Sequence, residues 1–191
     1  MLLLAAPFLF APGCKTVEAD IPVPEGYQIV RLPGVDGAIL KPKGWHFHHY
    51  GMPNSYVYRI TKEDSTKTNG FLTGFTITYV PAVSKLARQK PSEYASTVLQ
   101  DYSKLQIVSK GSGCTYDSGQ GPVDQQEWIV DQEVHAFGSN LVCRVGISTL
   151  AIDRIDLLVV VVFGTPQDEW TKNKVIRDTV CRKMRILGSH L

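Results

Sequence analysis

The stretch "DLLVVVVFGTPQDEW" limits what this chain can fold into more than any other part of it. Residues 157–163 are apolar without interruption. A strand with one solvated face alternates apolar and polar side chains, so an unbroken run fits a central strand covered on both faces. Such a sheet needs elements on both sides, and the sequence offers helices for that role. "PSEYASTVLQDYSKL" (residues 91–105) opens with Pro91, suited to a first turn, and returns Tyr94, Val98 and Leu105, with Leu99 or Tyr102 beside them, at helical spacing. A weaker helical stretch, "VSKLARQK", precedes it. "TPQDEWTKNKVIRDTVCRKMRIL" (165–187) predicts a terminal helix with Thr165 as N-cap and Pro166 as first helical residue. Asp168 and Glu169 fall in its first turn and Arg182, Lys183 and Arg185 in its last, complementing the helix dipole, and Gly188 stops it. Its expected apolar face is Trp170, Ile176, Val180, Met184 and Leu187.

The remaining segments read as strands. "YQIVRLPGVDGAILKP" predicts two strands around a Gly- and Asp-containing turn, and "WHFHHYG", "SYVYRITKE" and "FLTGFTITYVP" continue as antiparallel hairpins. After the first helix, "QIVSKGSGCTY", "QQEWIVDQEV", "LVCRVGISTLAI" and "RIDLLVVVVFG" predict a four-strand meander. At 191 residues the chain suits one domain. The expected class is α+β: a single domain over residues 27–188 with an antiparallel sheet flanked by helices, an α/β/α sandwich.

This order of elements resembles the PsbP-like fold, found in the extrinsic photosystem II protein PsbP, in Mog-type Ran-binding proteins and in bacterial envelope lipoproteins of the DcrB type. The residues that carry the resemblance are "KPKGW" (41–45) at the start of an early hairpin, "KPSEYASTVLQDY" (90–102) between the two halves of the sheet, and "DLLVVVVFGTPQDEW" leading into the terminal helix. It covers most of the chain after residue 26, as a pattern. That family shares no catalytic residues, so the resemblance implies a binding or scaffolding role and transfers no site residue.

The start of the chain bears on location. Residues 2–10 form an apolar run broken only by Pro7, far short of the roughly 20 residues that a spanning helix needs but suited to a signal-peptide core. "APGC" (11–14) resembles the lipobox of bacterial lipoproteins, in which the cysteine is acylated. It departs from that pattern at Ala11, where leucine is usual, at Pro12, and in having no basic residue after Met1. The expectation is a signal peptide and lipobox-like segment over 1–14, lipidation at Cys14, and a tether over 15–26. The alternative is an apolar tail folded against the domain. The anchored reading gives a membrane partner through the lipid and a periplasm-facing place in the cell envelope. Lys15, standing where inner-membrane retention uses aspartate, favours the outer membrane.

An oxidising compartment permits disulfides, but Cys114, Cys143 and Cys181 are an odd number, so at most one bridge is expected. None has the spacing of a zinc site. A formal charge of +2, from 20 Lys+Arg against 18 Asp+Glu, gives no electrostatic case for nucleic acid.

Catalytic motifs are missing. "GIS" (146–148) does not continue as GxSxG, and the glycines of "GSGCTYDSGQG" miss the dinucleotide and P-loop spacings. No catalytic residue and no cofactor is expected. The candidates for an enzyme of unrecognised type are Cys114 with His135 as thiol and base, the pair Asp131 and Glu133, and the pair Asp153 and Asp156. In "KPKGWHFHHYG" strand alternation puts Trp45, Phe47 and His49 on one face and His46, His48 and Tyr50 on the other. His46 and His48 are therefore candidate zinc or copper ligands, given a third ligand from His49, His135, His190 or a carboxylate. The leading expectation is a lipid-anchored envelope protein whose non-catalytic domain binds a protein partner or serves assembly. The alternatives are an envelope metal-binding protein using His46 and His48, and an envelope enzyme.

Overall fold

A computed structural model of the protein describes residues 22–187, except 69, 112, 118–120 and 137. Strands β1 (Tyr27–Arg31) and β2 (Asp36–Pro42) open the domain as a hairpin, and β3 (His46–Met52), β4 (Ser55–Thr61) and β5 (Gly74–Pro81) follow, with the one-turn helix α1 (Ser65–Thr68) between the last two. Helices α2 (Val83–Ala87) and α3 (Pro91–Asp101) lead to β6 (Gln106–Lys110), β7 (Cys114–Asp117), β8 (Pro122–Ala136), β9 (Ser139–Ile152) and β10 (Leu157–Pro166). Helix α4 (Trp170–Lys183) and strand β11 (Arg185–Leu187) complete the described chain.

The main sheet is antiparallel, in the order β3-β4-β5-β10-β9-β8-β6, with β7 also on β8. The apolar run occupies β10, between β5 and β9, where both of its edges are paired. Its side chains divide as the period of two requires. Leu157, Val159, Val161 and Phe163 join a cluster with Trp170 and Val180 of α4 and Leu32 and Ile39 from the β1–β2 hairpin. Leu158 and Val160 join a second cluster with Val83 of α2 and Ala95 and Leu99 of α3. The expected antiparallel sheet with a helical layer on each face is thus present, and Tyr94, Val98, Tyr102 and Leu105 pack at the rim of the second cluster.

Three details differ from the sequence expectation. First, the opening hairpin leaves the main sheet and forms a second one with the C-terminal strand, in the order β1-β2-β11. β2 is buried on both sides: Ile39 faces the main core, while Ala38 and Leu40 pack with Tyr27 and Ile29. Second, the terminal helix begins at Trp170. Pro166 is the last residue of β10, opposite Cys143, so the ladder with β9 outruns the local capping signal at Thr165. A 3-10 turn over Gln167–Glu169 makes the change to helix. Residues 185–187 pair with β2 as strand, which removes Leu187 from the helix face. Third, "QIVSKGSGCTY" is two strands: β6 and β7 lie in turn along β8, and β6 carries a register shift between Ile107 and Ser109. Gly74 lets β4 and β5 approach, since a Cβ there would stand 2.6 Å from the Ile60 carbonyl oxygen.

Candidate functional site

Helix α4 turns Trp170, Asn173, Arg177 and Val180 inward. Two of these four are polar, and each meets partners on the sheet beneath. Asn173, 3% exposed, donates from Nδ2 to Thr165 Oγ1 at 2.8 Å and to Glu169 Oε2 at 3.0 Å. Thr165 Oγ1 also lies 3.1 Å from Thr73 Oγ1 of the segment before β5. Arg177, 6% exposed, pairs through Nη2 with Glu127 of β8 and through Nη1 with Asp178 at 3.2 Å. It passes over Gly146, where a Cβ would lie 2.8 Å from its Nε, so the glycine leaves the space that the guanidinium fills. Farther along the same face, Arg144 Nε and Nη2 clasp the Asp131 carboxylate at 2.8 and 2.9 Å, and Gln167 Nε2 donates to it at 2.8 Å. Hydrogen bonds from Arg144 hold the Asp131 carboxyl below its ordinary range although burial opposes them, and the same pair raises Arg144.

This polar band joins α4 to the sheet. Its buried charges are paired and hydrogen-bonded, the condition under which charge persists in an interior. The inward spacing 170, 173, 177, 180 was available in the sequence as a helical stripe. Reading apolar residues alone moved that stripe to Ile176, which is half-buried.

The catalytic candidates do not assemble. Cys114 stands opposite Gln125, and His135 lies ten residues farther along the same strand β8, about 33 Å away at the rise of a strand. His135 Nδ1 is 2.8 Å from Asn140 Oδ1 across the next hairpin. Asp153 and Asp156 each serve a helix: Asp153 accepts from Ser92 N and Oγ at 2.9 and 2.8 Å at the start of α3, and Asp156 accepts from Ser84 N and Oγ at 2.8 and 2.6 Å at the start of α2. They cap helix N-termini supplied by distant residues, and the spacing within "IDRID" follows from that. Asp131 is held by Arg144, whereas Glu133 is exposed.

Cys143 belongs to the cluster under α3 and Cys181 packs against the cluster under α4, on opposite faces of the sheet, so these two cannot bridge. Cys114, Cys143 and Cys181 are all free thiols. Burial pushes the Cys181 thiol up to about 11 and raises Cys143 as well, which suits small buried hydrophobes rather than nucleophiles.

The histidine strand follows the expected alternation. Phe47 stacks on Tyr58 over the main core, with ring centroids 6.4 Å apart, and His49 shares its face. Trp45 packs against the same core. His46 and His48 take the other face, opposite Thr61 and Arg59 of β4. His48 Nε2 is 3.9 Å from Asp64 Oδ1. Among the described residues no three His, Cys, Asp or Glu side chains gather as metal ligands, and His190 lies outside them. In "KPKGW", Lys41 is buried and donates from Nζ to the Trp45 carbonyl, so the motif closes its own turn. Cys14, with its lipobox-like segment and residues 15–21 of the tether, lies outside the described residues.

No protein-family model and no curated protein matches this sequence. Solved structures do match. The chain is similar to cyanobacterial PsbP (CyanoP) from Synechocystis sp. PCC 6803, at 14% identity over 92% of this chain and 98% of that one, with a TM-score of 0.48. It is similar to the Ran-binding protein Mog1p of Saccharomyces cerevisiae, at 12% identity over 84% and 95%, with a TM-score of 0.48. It is also similar to LpqN of Mycobacterium tuberculosis, a protein involved in cell envelope biogenesis, at 11% identity over 87% and 82%, with a TM-score of 0.40. These include the PsbP and Mog types whose order of elements the sequence resembles. No residue role, partner or location passes to this chain from likenesses at this level.

Proposed function

We propose that this protein is a lipid-anchored component of a cell envelope whose domain binds a protein partner, or serves assembly, without catalysing a reaction. One contrast carries the reading. Three of the carboxylates that could have done chemistry are bound into the scaffold, Asp153 and Asp156 as helix caps and Asp131 in the ion pair with Arg144. Apolar side chains are meanwhile offered to solvent on an open edge strand: all five residues of β6 are exposed, with Ile107 at 37% and Val108 at 44%. An open edge and an apolar surface are features that protein partners use. The anchor rests on the apolar run and "APGC" at the start of the sequence. A domain held by a tether at a periplasm-facing membrane, the outer one being favoured by Lys15, would present that edge to its neighbours.

The anchor has a direct test. In a Gram-negative host expressing the full precursor, radiolabelled palmitate is expected to enter the wild-type protein and to be lost in Cys14→Ser. Equal labelling of both, or labelling of neither, would remove Cys14 as the attachment site.

A further inference from the structure

The main sheet ends at β6 on one side and at β3 on the other. Edge strands are usually blunted by lysine, proline or a bulge, because a bare edge is a template for another strand. β6 has such guards: its register shifts between Ile107 and Ser109 and Lys110 ends it, so it offers side chains rather than an unbroken ladder. β3 has none of them. Its sequence, HFHHYGM, pairs with β4 in continuous register and contains no Lys, Arg, Asp, Glu or Pro.

The free edge of β3 can be assigned rung by rung, since a strand in an antiparallel ladder turns its backbone groups to a given neighbour at alternate residues. β3 and β4 are joined by the two-residue loop Pro53-Asn54, which makes Met52 and Ser55 a hydrogen-bonded pair. On the other side of β4, Lys62 N donates to Thr73 O one rung beyond the pair Thr61 and Gly74, which gives the same phase. His46, His48, Tyr50 and Met52 therefore turn their backbone groups to β4, while Phe47, His49 and Gly51 turn theirs outward. Among the described residues, those outward groups of Phe47, His49 and Gly51 have no hydrogen-bond partner, and residues 49–52 are exposed. The Trp45 carbonyl, next in the outward series, is taken by Lys41 Nζ.

We propose that β3 pairs antiparallel with β3 of a second copy of this chain, joining two main sheets into one across a two-fold axis at His49. His49 then faces His49 of the second copy and Phe47 faces its Gly51, so every outward N–H and C=O is bonded in reciprocal pairs. The Phe47 ring meets a residue without a side chain, and a Cβ placed at Gly51 has nothing within 4 Å, so the ring has room. On the opposite face, His48 lies against Tyr50 of the second copy and His46 against its Met52. Tyr50 and Met52, 40% and 57% exposed, are thereby covered, and no charged residue of β3 opposes another. Sliding one copy by one further pair spoils the match: either Gly51 meets Trp45, whose carbonyl is already taken, or Phe47 meets Pro53, which has no N–H. One strand per copy is small beside the roughly 20 to 30 residues a side of a stable interface, so the dimer is expected to be weak, with a Kd on the order of 10 to 100 μM.

The test is sedimentation of the full chain over about 1 to 300 μM, which should show a reversible monomer and dimer. Gly51→Pro removes an outward N–H that β4 does not use, a change an edge strand tolerates, and His49→Lys sets like charges opposite each other at the axis. Each is expected to weaken the dimer about tenfold or more, with the unfolding midpoint of the dilute protein close to that of wild type. Ile107→Asp on the other edge should leave the dimer intact, which separates this contact from partner binding at β6. A wild-type protein that stays monomeric throughout, as it would if the edge served a strand of a different protein, would overturn the proposal. So would a dimer that neither β3 substitution weakens.

Discussion

Truncating Phe163 to alanine is expected to lower the unfolding free energy by about 4 kcal/mol. Phe163 is fully buried on β10, with the Phe75 ring centroid at 4.7 Å on one side and that of Trp170 at 6.1 Å on the other. Trp45 extends the series beyond Phe75, at 6.5 Å. These rings tie the turn before β3, strands β5 and β10 and the start of α4 into one core, so a cavity at Phe163 loosens the contact between sheet and helix. Urea unfolding followed by tryptophan fluorescence should show a lower midpoint with an unchanged slope. Val175→Ala, on the solvent side of α4, is the control and should stay within about 0.5 kcal/mol of wild type. A loss at Phe163 no larger than the control's would contradict a central, doubly covered β10.

Glu127→Ala carries the next largest expected effect, about 3 kcal/mol. The substitution removes the carboxylate facing Arg177 and leaves a guanidinium in the space over Gly146, between α4 and the sheet. Asp178 at 3.2 Å and Ser148 at 3.4 Å remain beside it, which places the loss at the low end for a broken buried pair. If the cost comes from the stranded charge, removing the charge as well should restore stability. The double variant Glu127→Leu with Arg177→Met is therefore expected to be more stable than Glu127→Leu alone, with a clear coupling energy in the double-mutant cycle. Additive losses would mean that the two side chains do not act as a pair.

Much of the architecture could be read from local pattern. The apolar run located the central strand, the spacing of Tyr94, Val98 and Leu99 located α3, and alternation assigned the faces of the histidine strand. These signals are legible because burial imposes a period of 2 or 3.6 on neighbouring residues. The features that escaped depend on partners far away in the chain. Nothing near Asp153 shows that it caps a helix beginning 62 positions earlier, at Pro91. Nothing near Arg177 shows that Glu127 and Gly146 open a place for it. The start of α4 was misplaced for the same reason: Thr165 and Pro166 carry a sound capping signal, but pairing with β9 keeps them in strand. The candidate site divides in the same way. Alternation puts His46 and His48 on one face, while Arg59 and Asp64 as neighbours of His48 emerge only from strand register and the path of the segment before β5.

Site-specific photocrosslinking from position 108 of β6, in intact membranes of cells expressing the full precursor, tests partner binding most directly. A discrete adduct of one partner is expected, lost when Ile107→Asp charges the edge and absent from a probe at exposed Leu86 on α2. No adduct from position 108, with the protein folded and membrane-bound, would contradict a domain that works by binding through this edge.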